Sequence, residues 1–231
     1  METLTTFQVK GMHCASCEAI ITKQLKKAPG VSAVEVNYAT ESAKISFDAN
    51  ITDGERLSKL IEPLGYSLRT NNQAVTAKSA ESAQKSEKLA ELAALRRQVF
   101  SVLPLAFISI LIMGWEIGAN LNLIPKMPIL WKEFFHHLLP ILATYVIFIV
   151  GKPYLQGLIR FLRFGHANME SLIGLGTSAA FLYSFVISAF EETLKPFLNV
   201  DYTYYDITIV IIVFVALGKY LELRSRIKTG D

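Results

Sequence analysis

The stretch "GMHCASCEAI" (residues 11–20) sets two cysteines, Cys14 and Cys17, three positions apart just ahead of a helical pattern, and they are the only cysteines in the chain. Before it, "TTFQVKG" (5–11) alternates apolar and polar residues, as a half-buried strand does. After it, Ala19, Ile20, Leu25 and Ala28 suggest one apolar face of a helix over 15–28, and Pro29-Gly30 stops that helix. A strand, a cysteine loop and a helix therefore open the molecule.

The pattern then repeats with variation. "VSAVEVNY" (31–38) and "SAKISFD" (42–48) alternate around a short polar turn. "TDGERLSKLIEPLGY" (52–66) offers Thr52 or Asp53 as N-cap and spaces Leu57, Leu60, Ile61 and Leu64 as a helix does. "GYSLR" (65–69) supplies a last short strand. The order βαββαβ predicts an α+β, ferredoxin-like domain over residues 1–70, large enough to bury a small core of its own.

The remainder is of another kind. Of the 231 residues 52% are hydrophobic, and the mean hydropathy of +0.35 averages a polar front with an oily rear. Residues 71–86, "NNQAVTAKSAESAQKS", lack an apolar face and read as a flexible linker, followed by a charged cytoplasmic helix over 87–98. Four membrane spans are expected in 99–223, at about 99–119, 134–151, 169–190 and 203–222. The first opens with seventeen uncharged residues, Val99 to Trp115, and the third contains twenty, 171–190. The fourth carries Asp206 and Lys219. Residues 224–231 lead away from the membrane.

Arg96, Arg97, Arg160, Arg163, Arg224, Arg226 and Lys228 fall on one side of a four-span arrangement, against Lys126, Lys132 and Lys195 on the other. The positive-inside rule then puts both the cysteine domain and the C-terminal end in the cytoplasm of a multi-pass cell-membrane protein. The N-terminus lacks the apolar core of a signal peptide, which agrees. A net charge of +3 is too small to argue for nucleic acid. After the second span, Gly151-Lys152-Pro153 should kink the chain into an amphipathic extension reaching residue 164. Its basic face, Lys152, Arg160 and Arg163, reads either as a membrane-surface anchor or as a landing platform for a partner domain.

Three chemistries compete for Cys14 and Cys17. A structural disulfide is at odds with a reducing compartment, and a redox pair would need a thioredoxin pattern rather than βαββαβ. A metal clamp fits best: a cysteine near a helix N-terminus favours thiolate, and two thiolates suit a soft ion such as Cu(I). Zinc usually takes four ligands, and His13 is the one obvious extra donor in the loop.

"GMHCASC" on this scaffold closely resembles the heavy-metal-associated domain of metal-transporting P-type ATPases and copper chaperones. "GHANMESLIGLGT" (165–177) and "YYDITIVIIVFVALGKYLE" (204–222) resemble membrane segments of the same ATPases, and "RSRIKTGD" (224–231) resembles their lead into the actuator domain. The copper(I) branch is the better match. The resemblance implies an ATP-driven copper(I) exporter, with Cys14 and Cys17 as metal ligands, Met169 and Glu222 where the ion is loaded, and Asp206 on the exit path. It also implies ATP and magnesium as needs of a full-length pump, and a cytoplasmic copper chaperone as partner. The family's "DKTGT", "TGE" and nucleotide domain do not occur in these residues, so the chain reads as an N-terminal piece, inactive alone. Val150-Gly151 replaces a paired glycine of many relatives, and Gln156 and Gly157 occupy two of their basic platform positions. The alternatives are a pump for Ag(I), Zn(II) or Cd(II), and a non-enzymatic, membrane-anchored metal-binding protein.

Overall fold

The computed structural model describes residues 2–12, 14–70, 77–196 and 203–229; Met1, His13 and residues 71–76, 197–202 and 230–231 lie outside the described residues. It divides into two compact units, Met1–Ala80 with Ile159–Ser171, and Glu81–Leu158 with Leu172–Asp231.

The first unit opens with β1 (Glu2–Lys10), α1 (Ala15–Leu25), β2 (Val31–Asn37), β3 (Ser42–Asp48), α2 (Gly54–Ile61), a single 3-10 turn (Glu62–Leu64) and β4 (Ser67–Thr70). The strands form one antiparallel sheet in the order β2-β3-β1-β4. This is the ferredoxin-like βαββαβ fold. Period-two alternation turns Phe7 and Val9 of β1 and Ala43, Ile45 and Phe47 of β3 to the same core. The two helices cover that face with Cys17, Ile21 and Leu25 from α1 and Leu57 and Ile61 from α2.

One local detail differs from expectation, and one open choice is decided. The α1 stripe is Cys17–Ile21–Leu25, with Ile20 and Ala28 at its margin and Ala19 exposed. The helix starts at Ala15, and that start sets its phase so that the thiol of Cys17 points inward as a small apolar group. Asp53, rather than Thr52, caps α2: its carboxylate accepts from the Arg56 N–H at 2.8 Å, while Thr52 is buried.

The second unit is helical. Its long α3 spans Ala77–Asn120, so residues 77–86 are helical rather than linker. Ala, Glu, Gln and Lys there have high helix propensity, and no glycine or proline interrupts the run before Pro104. Then come α4 (Ile129–Ile149), α5 (Lys152–Phe164), α6 (Met169–Ala189), the short α7 (Glu191–Leu194) and α8 (Tyr205–Thr229). Between α4 and α5 the Gly151 N–H reaches back to the Val146 carbonyl at 2.9 Å, one residue further than an α-helical bond.

Among the described residues three helical stretches, Ser86–Asn120, Ile129–Ile149 and Met169–Ala189, are long and apolar enough to cross a membrane. The length of α8 suffices as well, but Asp206, Lys219 and Glu222 interrupt its apolar run. Its buried stripe is nonetheless continuous, with Tyr205, Ile209, Ile212, Val213, Ala216 and Tyr220 facing Val99, Val102 and Ala106 of α3 and Ala143, Val146 and Ile147 of α4. Large apolar side chains such as Phe107, Leu111, Phe148, Phe185 and Phe214 point outward, as on helices that face lipid.

Candidate metal centre

The cysteine loop is shaped by two glycines. Gly11 has φ +90°, and a Cβ there would run into the carbonyl oxygen of Gly65, itself at φ +92°. The chain at Gly11 and the chain at Gly65 are thereby brought close together at one end of the sheet. Met12 and Tyr66 are buried beneath them.

Cys14 is the N-cap of α1, with extended backbone, and its carbonyl accepts from the Cys17 N–H at 3.0 Å. Neither cysteine is in a disulfide, with Cys14 half-buried and Cys17 buried. Their sulfurs are 3.5 Å apart, well beyond a disulfide's ~2.05 Å. One ion can bridge two sulfurs so placed at metal–thiolate distances of about 2.3 Å.

The surroundings favour charge on the outer sulfur. Burial acts to raise the Cys14 pKa, but the Ser16 hydroxyl at 2.8 Å, the Cys17 backbone and thiol, and the Met169 backbone together hold it below the ordinary thiol value. Tyr66 shows the reverse. Burial, first, and a hydrogen bond to Cys17 push its phenol up, so it stays a protonated donor to that sulfur. Among the described residues no set of three His, Cys, Asp or Glu is gathered for a metal.

Residues 159–171 belong to the same unit. The Arg160 guanidinium lies where a side chain on Gly65 would project, and the Asn168 side chain acts against the rise in the Tyr66 pKa. Asn168 also caps α6, its Oδ1 accepting from the Ser171 N–H at 2.8 Å while its own N–H donates to the Ser171 hydroxyl at 2.8 Å. That reciprocal cap holds Met169 at the first position of α6, with its backbone at Cys14 and its side chain partly exposed.

The other expected residues lie elsewhere. Glu222 belongs to the second unit and pairs with Arg226 one turn on, at 3.0 Å. Asp206 is in the first turn of α8, where its carboxylate accepts from the Ile207 N–H at 2.8 Å. Lys152 starts α5, and Arg163 stacks over Phe164 near its end. Tyr66 and Asn168 escaped the sequence reading. "GYS" and "HAN" look like turn residues, and no local signal joins either to Cys17.

A profile described as "Heavy-metal-associated domain" matches residues 6–67. The "Copper-exporting P-type ATPase" of Staphylococcus aureus (strain Newman) is 34% identical over 227 residues, which is 96% of this chain and 26% of that protein; the protein of strain USA300 matches equally. The chain thus spans about a quarter of the length of these curated relatives. Among solved structures, the N-terminal domain of a potential copper-translocating P-type ATPase from Bacillus subtilis, in a Cu(I)-loaded state, is 31% identical, with 30% of this chain and 88% of that one covered and a TM-score of 0.29. Oxidized MerP from Ralstonia metallidurans is 30% identical, with 31% and 100% covered and a TM-score of 0.30. Residues 6–67 thus belong to the heavy-metal-associated domain family, and the likeness to copper-exporting P-type ATPases runs on through the membrane helices.

Proposed function

We propose that this chain captures copper(I) on Cys14 and Cys17 at the cytoplasmic face and passes it into the membrane part of an ATP-driven exporter. The observation that carries the reading is the pair of thiols, outside any disulfide and with sulfurs 3.5 Å apart, the outer of which is held below the ordinary thiol pKa. Two soft donors suit a monovalent soft ion better than zinc. Curated relatives similar over 96% of the chain carry a copper-exporting name, which supports copper as the cargo.

Within that function, Met169 supplies a thioether where the ion is loaded and Glu222 an anionic charge at the same stage, while Asp206 takes part in release. A carboxylate is a hard, poor ligand for Cu(I), which suits a position that must let go. Arg160, with Lys152 and Arg163, serves as a landing surface, and the packing of Arg160 beside Gly65 supports this. A cytoplasmic copper chaperone is the natural donor to a thiol pair, because free aqueous copper(I) is avoided. ATP and magnesium enter through the catalytic domains of a full-length pump. The membrane is crossed four times, α8 included, with both ends of the chain in the cytoplasm.

Anaerobic titration of the full chain in detergent, with a chromogenic Cu(I) chelator as competitor, tests the central step. Wild type should take one copper away from the chelator, and the Cys14→Ser/Cys17→Ser variant should take none. Equal competition by the double variant would refute the assignment, and tighter retention of Zn(II) than Cu(I) would move the cargo to the zinc branch.

A further inference from the structure

Within the second unit, α3 and α8 leave a cavity of about 810 Å³ between them. One face of α3 forms its long wall, from Leu89 through Leu92, Arg96 and Arg97 to Phe100, residues that recur three and four apart. Tyr220 and Arg224, one turn apart on α8, form the other. The Arg96 guanidinium sits over the Phe100 ring at 5.7 Å, and Phe100 meets Tyr220 edge-on at 6.4 Å. Three guanidiniums thus share a pocket with leucine and aromatic walls, and no carboxylate lines it among the described residues.

We propose that this cavity is a binding site for an anionic phospholipid, its phosphate held by Arg96, Arg97 and Arg224 and its glycerol and first acyl carbons laid against Leu92, Phe100 and Tyr220. Arginine presents several N–H donors that match phosphate oxygens. The site lies where such a headgroup would be. Arg97 comes two residues before the uncharged run Val99–Trp115, so the pocket opens at the edge of the apolar span, on the arginine-rich side. A soluble anion would leave the apolar wall unused, whereas a lipid satisfies both halves. No metal chemistry is involved, and the site is independent of Cys14 and Cys17.

The full chain, exchanged into mixed micelles of phosphatidylglycerol and phosphatidylcholine with matched acyl chains, can be examined by native mass spectrometry for retained lipid. Wild type should hold phosphatidylglycerol in preference. The Arg96→Gln/Arg97→Gln/Arg224→Gln variant should lose that preference by about tenfold or more, taking the usual contribution of cations near an anionic surface. The triple lysine variant should keep most of it, which separates lost charge from lost fold. The Lys26→Gln/Lys27→Gln control, at exposed positions of the front domain, should behave as wild type. Unchanged retention by the glutamine variant, loss in the lysine variant, or an equal loss in the control would each overturn the proposal. Displacement of the lipid by millimolar glycerol phosphate or inorganic phosphate would also overturn it, by showing a soluble-anion site.

Discussion

Cys14 concentrates the chemistry of the front domain. Its thiol is pulled up by burial and down more strongly by hydrogen bonds, of which the Ser16 hydroxyl at 2.8 Å is the largest. A thiol whose folded pKa is depressed contributes stability above its unfolded value of about 8.5, and that contribution is lost as pH falls through the folded value. Protons therefore compete less with metal here than at a free cysteine. Removing the Ser16 hydroxyl should shift Cys14 back upward. In the metal-free chain, the pH profile of Cys14 alkylation should move to higher pH in Ser16→Ala, with Cys17 protected by burial in both proteins. An unmoved profile would show that the hydroxyl does not stabilise the thiolate.

Between α5 and α6 the backbones come close at Gly174. A Cβ on Gly174 would run into the carbonyl oxygen of Tyr154 and sit 3.1 Å from the Leu158 Cβ. The absence of a side chain in "LIGLG" is therefore what lets the amphipathic helix lie against the membrane helix. Gly174→Ala should force the two apart and cost about 1–3 kcal/mol, the usual range for overpacking, seen as a lower thermal midpoint in detergent. Gly176, with open space around it, is the matched control and should tolerate alanine. If both substitutions had equal effects, the close approach would not be the cause.

For the assembled chain, the expectations concern sidedness and the ion path. Single cysteines placed in a Cys14→Ser/Cys17→Ser background should be labelled from outside at positions within 120–132 and 192–196, and only after permeabilisation within 86–95 and 224–229. External labelling of 224–229 would remove one crossing, and α8, with its three interrupting charges, is the helix whose insertion that result would deny. In a complete pump containing this chain, Met169→Ala or Glu222→Ala should lower copper-stimulated ATPase activity. Asp206→Ala should instead leave a persistent metal-bound phosphoenzyme. The opposite assignment of defects would reverse the direction of the path.

Much of this was written locally along the chain. Alternation marked β1, β2 and β3, three-four spacing marked α2, and long uncharged runs marked the membrane helices, because backbone period and solvent preference act over a few neighbouring residues. The spacing of Cys14 and Cys17 placed two thiols at one helix start for the same reason. Other features depend on residues far apart in sequence. The order β2-β3-β1-β4 brings the end of α2 beside the cysteine loop, so that Tyr66 reaches Cys17, and packing of 159–171 in the same unit brings Asn168 and Met169 to that loop. The phase of α1, which buries Ile21 and exposes Ala19, was decided by the packing of Cys17, Ile21 and Leu25 against the sheet. Local patterns choose elements through short-range forces, whereas the donors that tune a thiol and the arginines that share a cavity are gathered only when those elements pack.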